Sequence, residues 1–209
     1  MKIIDLTHDL HERVPVYPGT GQPIFHKIDV DGYRELKMEM YTHTGTHIDA
    51  PYHILREGRT LDALPIDTYL GPAIVIDCKA LVGNKITTDF LLPFRNAIAG
   101  VQFILFNSGW SSKWGTDAYF KDFPTLTTDA AEWLTNFQLK GIGLDSISLD
   151  EVHSKELPNH HIVLAKDMVI VENLTNLDSL PQQGAVFQCF PLKIVQADGS
   201  PVRAVALLN

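Results

Sequence analysis

Apolar and polar positions along the chain follow the rhythm of strands more often than that of helices. Residues 2–6 form a short apolar run, and residues 14–21 hold Pro15, Pro18, Gly19 and Gly21, which require a loop. Residues 25–30 and 33–41 flank Asp31-Gly32, a pair suited to a type I′ turn, and so predict a hairpin. In its second strand Leu36, Met38 and Met40 alternate with Glu35, Lys37 and Glu39, which predicts one buried and one wet face. Residues 73–78, 101–106 and 168–171 are continuous apolar runs, the pattern of strands covered on both faces. A helix is predicted to start near residues 127–129. Asp129 caps it, Glu132 follows three residues later, Trp133, Leu134 and Phe137 form its apolar stripe, and Gly141 ends it. Residues 185–195 and 202–207 flank Asp198-Gly199-Ser200-Pro201 and read as a closing hairpin. No repeat or linker divides residues 1–209, so the expectation is one strand-rich α/β domain with mixed sheets, not a doubly wound parallel fold.

Composition narrows the functional classes. The chain is 45% hydrophobic and 20% charged, an ordinary globular balance that argues against disorder. Its 17 basic and 25 acidic residues give a net charge of −8, which argues against a nucleic-acid partner. No apolar run approaches the ~20 residues of a membrane span. Asp5, His8 and Asp9 interrupt the start of the chain where a secretory signal needs an unbroken apolar core. Cys78 and Cys189 make no disulfide framework and are expected as buried thiols in a reducing compartment, which places the chain in the cytoplasm.

The chemistry concentrates between residues 43 and 53, where His43, His47, Asp49 and His53 stand among Gly45, Thr46 and Pro51. The i, i+4 spacing of His43 and His47 suits one face of a helix, but Thr44, Gly45, Thr46 and Ile48 disfavour helix and Pro51 breaks it. With the period of a strand, residues 43, 47, 49 and 53 share one face. A straight strand would hold the ends about 33 Å apart, so the chain must bend, and Gly45 and Pro51 permit it. Imidazole and carboxylate together suit zinc, manganese or iron, and a cation removes the cost of burying Asp49. Other ligands must come from elsewhere. His8, His11, His26 and His153 stand in polar or alternating surroundings and are read as surface residues. His160 precedes an apolar run, and Glu172 closes another, where a carboxylate at the end of a buried strand wants a cation.

His43-x-Gly45-Thr46-His47-x-Asp49-x-Pro51-x-His53 resembles the signature of the cyclase-type metal-dependent hydrolases, a family that includes bacterial kynurenine formamidases. The resemblance extends through Ile4-Asp5-Leu6-Thr7, Val14-Pro15-Val16-Tyr17-Pro18-Gly19, Ser108-Gly109-Trp110, Gly143-Leu144-Asp145-Ser146 and Glu172-Asn173-Leu174 with His160 before it. It ends in Pro191-Leu192-Lys193 and Asp198-Gly199-Ser200-Pro201-Val202-Arg203. It implies a swivelling β/β/α fold, a homodimer, and two divalent ions per chain, zinc or manganese. His43, His47 and Asp49 would hold the first ion, and Asp49 and Glu172 would bridge to a second that His160 also holds. His53 would be the proton donor and acceptor. Tyr17 stands where kynurenine formamidases carry tryptophan, and Asn107-Ser108 where many members have Arg-Thr, so the departures concern substrate contact.

The reaction this implies is hydrolysis of an aryl formamide, N-formyl-L-kynurenine plus water giving L-kynurenine and formate, as in tryptophan catabolism. A metal-bound hydroxide attacks the carbonyl and His53 protonates the leaving amine, while Tyr17 and Trp110 stack on the substrate ring. Isatin or lactone ring opening is the alternative within the family. From another class, His47, Asp49 and His160 form the two-histidine, one-carboxylate set of a non-haem iron oxygenase. That set leaves His43, His53 and Glu172 unexplained. A metal-holding scaffold without turnover is the non-enzymatic alternative.

Overall fold

The structure, a computed structural model, describes residues 1–208. Its strands in the first half are β1 (Lys2–Asp5), β2 (Ile24–Val30), β3 (Tyr33–Glu39), β4 (His47–Asp49), β5 (Leu70–Asp77), β6 (Lys85–Ile86) and β7 (Phe103–Asn107). The second half adds β8 (Thr125–Leu126), β9 (Gly141–Leu144), β10 (Val169–Glu172), β11 (Ala185–Gln188), β12 (Gly199–Pro201) and β13 (Val205–Leu208). Four short helices accompany them: α1 (Thr88–Leu91), α2 (Arg95–Ile98), α3 (Thr128–Leu134) and α4 (Pro158–Leu164). None is long and apolar enough to cross a membrane among the described residues.

Nine of the strands form one mixed sheet in the order β1-β13-β11-β5-β7-β9-β10-β4-β12. The continuous apolar runs become β5, β7 and β10, which with β9 form its parallel centre in the order β5-β7-β9-β10. Being covered on both faces, these strands feed two cores. Phe103 and Leu105 point to one side, packing with Phe187, Val169 and Ile48. Ile104 and Phe106 point to the other, beneath Leu91, Ile98, Leu134 and Val163 of the helices. The antiparallel strands β4 and β12 extend the sheet beyond β10 and carry the polar chemistry.

Three expectations are corrected. The predicted helix runs only over Thr128–Leu134, with Thr127 as its cap through an Oγ1 that accepts from the Ala130 N–H. It stops early because Thr135 Oγ1 and Asn136 Nδ2 donate to the Glu132 carbonyl, offering the backbone side-chain partners in place of another turn. Gly141 opens β9 instead of ending the helix. The β2–β3 hairpin forms in the expected register, but Leu36 and Met38 are exposed and Met40 is half-buried, because the ribbon pairs only with itself and no other element covers it. Finally, β11 and β13 pair antiparallel as foreseen, yet Asp198-Gly199-Ser200-Pro201 is not their turn. Gly199–Pro201 is an edge strand on β4, where Pro201 needs to donate no ladder hydrogen bond.

Both thiols are buried as expected, and burial pushes the Cys78 thiol up to about 12. At pH 8 Cys78 stays a thiol, and the thiolate is the reactive form. The folded chain is therefore expected to resist a disulfide-exchange reagent and to titrate both thiols once unfolded in guanidinium. Rapid labelling of either thiol in the folded chain would contradict that packing.

Candidate metal centre

The segment from 43 to 53 bends where the sequence permits. Gly45 adopts φ +67°, a left-handed conformation that glycine reaches without strain, and the Leu10 side chain occupies the space a Cβ would take. His47–Asp49 then runs as β4, pairing with β10 so that His47 stands opposite Glu172 and Ile48 opposite Val171. Alternation places His47 and Asp49 on one face with Glu172, while Ile48 enters the core behind. Pro51 opens a single 3₁₀ turn, Pro51–His53, and returns His53 toward His43, their ring centroids 4.0 Å apart. From the other half of the chain, α4 brings in His160.

The expected ligand residues thus meet. His43 Nδ1 lies 2.7 Å from Asp49 Oδ1, and His47 Nε2 lies 3.4 Å from the same oxygen. Glu172 reaches both sides, with Oε2 3.5 Å from His47 Nε2 and Oε1 3.3 Å from His160 Nε2. Asp49 Oδ2 is 3.9 Å from His160 Nε2. Two donor sets share Asp49: His43, His47 and Asp49, and Asp49, His160 and Glu172. Within each, one atom per residue lies within 4.8 Å of the others.

Charge explains why such a cluster suits a cation. Asp49 and Glu172 are buried, and no Lys or Arg among the described residues pairs with either. Burial opposes a charge on His43, but the Asp49 and Asp198 carboxylates outweigh it and push the imidazole up to about 10. His160 is likewise pushed up to about 10, burial being outweighed by Asp150 and Glu172. Burial alone would raise the Asp49 carboxyl, yet His43 and His47 hold it well below the usual range. His53 moves the other way, below its ordinary value, chiefly through burial. Buried carboxylates bound to imidazoles are the donor set that borderline divalent ions take, so these residues fit zinc or manganese.

Each imidazole of the donor sets also has a partner behind it. His47 Nδ1 is 2.9 Å from the Gly45 carbonyl, which Asn173 Nδ2 steadies by donating to it. His160 Nδ1 is 2.7 Å from Asp150, whose carboxylate also accepts the Asn159 and His160 backbone N–H groups. His43 Nε2 is 2.9 Å from Asp198. The sequence reading did not single out Asn173, Asp150 or Asp198. Asp150 stands in the same polar stretch as His153, yet it is 3% exposed. The only signal was the place of Asn173 and Asp198 within longer motifs.

A cavity of about 280 Å³ opens over the cluster, lined by His43, His47, His53, His160 and Glu172 on its floor. Its walls include Tyr17, Tyr41, Ile147 and Leu157. Tyr17 offers its ring there, because its hydroxyl donates to the Val152 carbonyl. Trp110, expected beside it, is not a lining residue: its indole N–H donates to the Tyr119 carbonyl, and the ring packs in the small core of Tyr119, Phe123 and Ile147. His8, read as a surface residue, is instead half-buried and stacked on Trp114, with burial lowering it to about 4.

Residues 4–151 match the family described as "Putative cyclase". The kynurenine formamidase of Geobacillus thermodenitrificans (strain NG80-2) is 32% identical over 206 residues, covering 96% of this chain and 95% of that protein. An isatin hydrolase solved with the product analogue thioisatinate superposes with a TM-score of 0.90 at 26% identity, covering 99% of this chain and 92% of that one. A structure described as a "Potential Metal-Dependent Hydrolase With Cyclase Activity" matches with a TM-score of 0.80 at 30% identity, covering 98% and 96%.

Proposed function

The chain belongs to the cyclase family, and on that premise we propose that it is a metal-dependent hydrolase of an aromatic formamide or a cyclic amide or ester. The leading reaction is N-formyl-L-kynurenine plus water giving L-kynurenine plus formate. The observation that carries this reading is the pair of buried carboxylates, Asp49 and Glu172, set among imidazoles beneath a cavity with aromatic walls.

In this reading His43, His47 and Asp49 would hold one divalent ion, and Asp49, His160 and Glu172 would hold a second. Such ions polarise a carbonyl and bring the pKa of water from ~15.7 toward ~7. The chain's own residues supply position and protons. His53, kept largely neutral by burial, receives the proton freed as water adds to the carbonyl. It returns that proton to the amine nitrogen as the C–N bond breaks, leaving a neutral aryl amine and formic acid, which loses its proton to solvent as formate. The rings of Tyr17 and Tyr41 with Ile147 and Leu157 give the substrate ring an apolar seat.

One observation favours ring opening of an isatin-like amide or a lactone as a second reading. Among the described residues no Lys or Arg lines the cavity to receive an amino-acid carboxylate, and a cyclic substrate without that tail needs none. The whole of residues 1–209 is read as one catalytic unit, working in the cytoplasm as a homodimer. The exposed β2–β3 ribbon supports that assembly, since two strands with no further cover among the described residues are marginal in water and Leu36 and Met38 lie exposed on one face.

The test is to incubate the zinc- or manganese-loaded chain with N-formylkynurenine, isatin and an unsaturated lactone while measuring formate, ring opening and dissolved oxygen. Hydrolysis that stops on chelation and consumes no oxygen is expected. Oxygen uptake with iron would support the oxygenase reading instead, and metal uptake without turnover of any of the three would leave a scaffold.

A further inference from the structure

We infer that Asp198 is a positioning residue for the metal centre, holding His43 through its Nε2–H so that Nδ1 is the nitrogen presented to the ion. The inference rests on the metal-binding reading above and adds a residue on the opposite side of the ligand.

Three features of the structure carry it. First, the two ring nitrogens of His43 face different carboxylates. Nδ1 points inward, 2.7 Å from the buried Asp49, and Nε2 points outward, 2.9 Å from Asp198 Oδ2. An imidazole that gives one nitrogen to a metal donates its other N–H to such an outer acceptor, which sets the tautomer and the ring plane. Second, Asp198 is itself held. Thr42 Oγ1 donates to its Oδ1 at 3.0 Å, so Oδ2 is the oxygen left for His43, and its backbone carbonyl accepts the Ala50 N–H at 2.8 Å. Third, the next residue is shaped to the same ring. A Cβ on Gly199 would lie 2.5 Å from His43 Cε1, so the imidazole rests flat against backbone that only glycine leaves clear. Asp198 grips the edge of the ring and Gly199 accommodates its face.

His53 is not held in this way. Its Nδ1 is 3.6 Å from Asp198 Oδ2, beyond a normal hydrogen bond, so the carboxylate acts through His43. The same pattern recurs at Asp150 behind His160 and at the Gly45 carbonyl behind His47, so each imidazole of the donor sets has one nitrogen directed inward and one engaged behind. Asp198 differs in that its side chain is partly exposed and stands just before the edge strand β12, which makes it the outer partner most open to substitution without loss of the core.

The experiment compares Asp198→Ala and Asp198→Asn with the wild-type chain. Zn²⁺ affinity is read by competition with a chromogenic chelator, and the apo proteins are matched by circular dichroism and thermal melting. Asp198→Ala is expected to lower affinity by about 10–100-fold, the usual loss for an outer partner of a ligand. Asp198→Asn, whose amide oxygen still accepts the Nε2–H, is expected to recover most of that loss. Both variants keep the backbone bond to Ala50. Long-range ¹H–¹⁵N spectra of the Zn²⁺-loaded wild-type chain add a readout that needs no variant, and His43 is expected to carry its proton on Nε2. Unchanged affinity in Asp198→Ala, or equal losses in the Ala and Asn variants, would overturn the assignment. A proton on Nδ1 would overturn it too, since the ion would then sit on the Asp198 side. If the wild-type chain takes up no Zn²⁺ or Mn²⁺, the metal-binding reading fails and this inference with it.

Discussion

Replacing His53 by Ala is expected to lower kcat/KM by about 10²–10⁴ while leaving the metal content unchanged, because the ring lines the cavity but belongs to neither donor set around Asp49. Its position follows from Pro51. The 3₁₀ turn carries residue 53 off the strand and sets its ring centroid 4.0 Å from that of His43 and 6.2 Å from that of His160. From there it can reach an atom held over the centre. Burial lowers its pKa, so at neutral pH the imidazole is free to take a proton and then surrender it. The loss should shrink for a substrate with a better leaving group, which needs less protonation as it departs. Metal analysis and kinetics on the same preparation decide the matter. Metal lost in step with activity would make His53 a ligand, and full activity without it would place the proton transfer elsewhere.

Glu172→Gln is expected to lower metal occupancy about as far as His43→Ala, with affinity falling by at least about 10–100-fold. The substitution is nearly isosteric, so packing should survive. The amide oxygen can still accept the Leu149 N–H that Glu172 Oε1 now receives at 2.9 Å. What is lost is one negative charge from a residue 5% exposed, whose two oxygens reach His47 on one side and His160 on the other. A carboxylate between two donor sets serves both, so its neutralisation should weaken both. Elemental analysis after dialysis against a weak chelator measures this, and full occupancy in the Glu172→Gln protein would remove Glu172 from the centre.

The sequence alone located three of the four parallel core strands, since continuous apolar runs such as residues 101–106 are buried on both faces, whereas β9 opens on Gly141 and lacks that run. It also identified His43, His47, Asp49 and His53 as a group, and Gly45 and Pro51 as the bends that gather them, because those residues restrict or free the backbone locally. Tertiary structure decided what depends on distant pairing. Strand period could not show that Glu172 stands opposite His47, a relation set by the β4–β10 register across 125 residues of chain. Nor could it show that Gly199–Pro201 is an edge strand with Asp198 before it against His43: residues 198–201 carry every local mark of a turn, and only the open edge of β4 draws the last three into the sheet. Trp110 and the β2–β3 ribbon teach the converse. Their local patterns are those of a pocket wall and a half-buried strand, but an aromatic ring or an alternating strand records only what it could cover. Which surface it meets is decided by the elements that arrive from elsewhere in the chain.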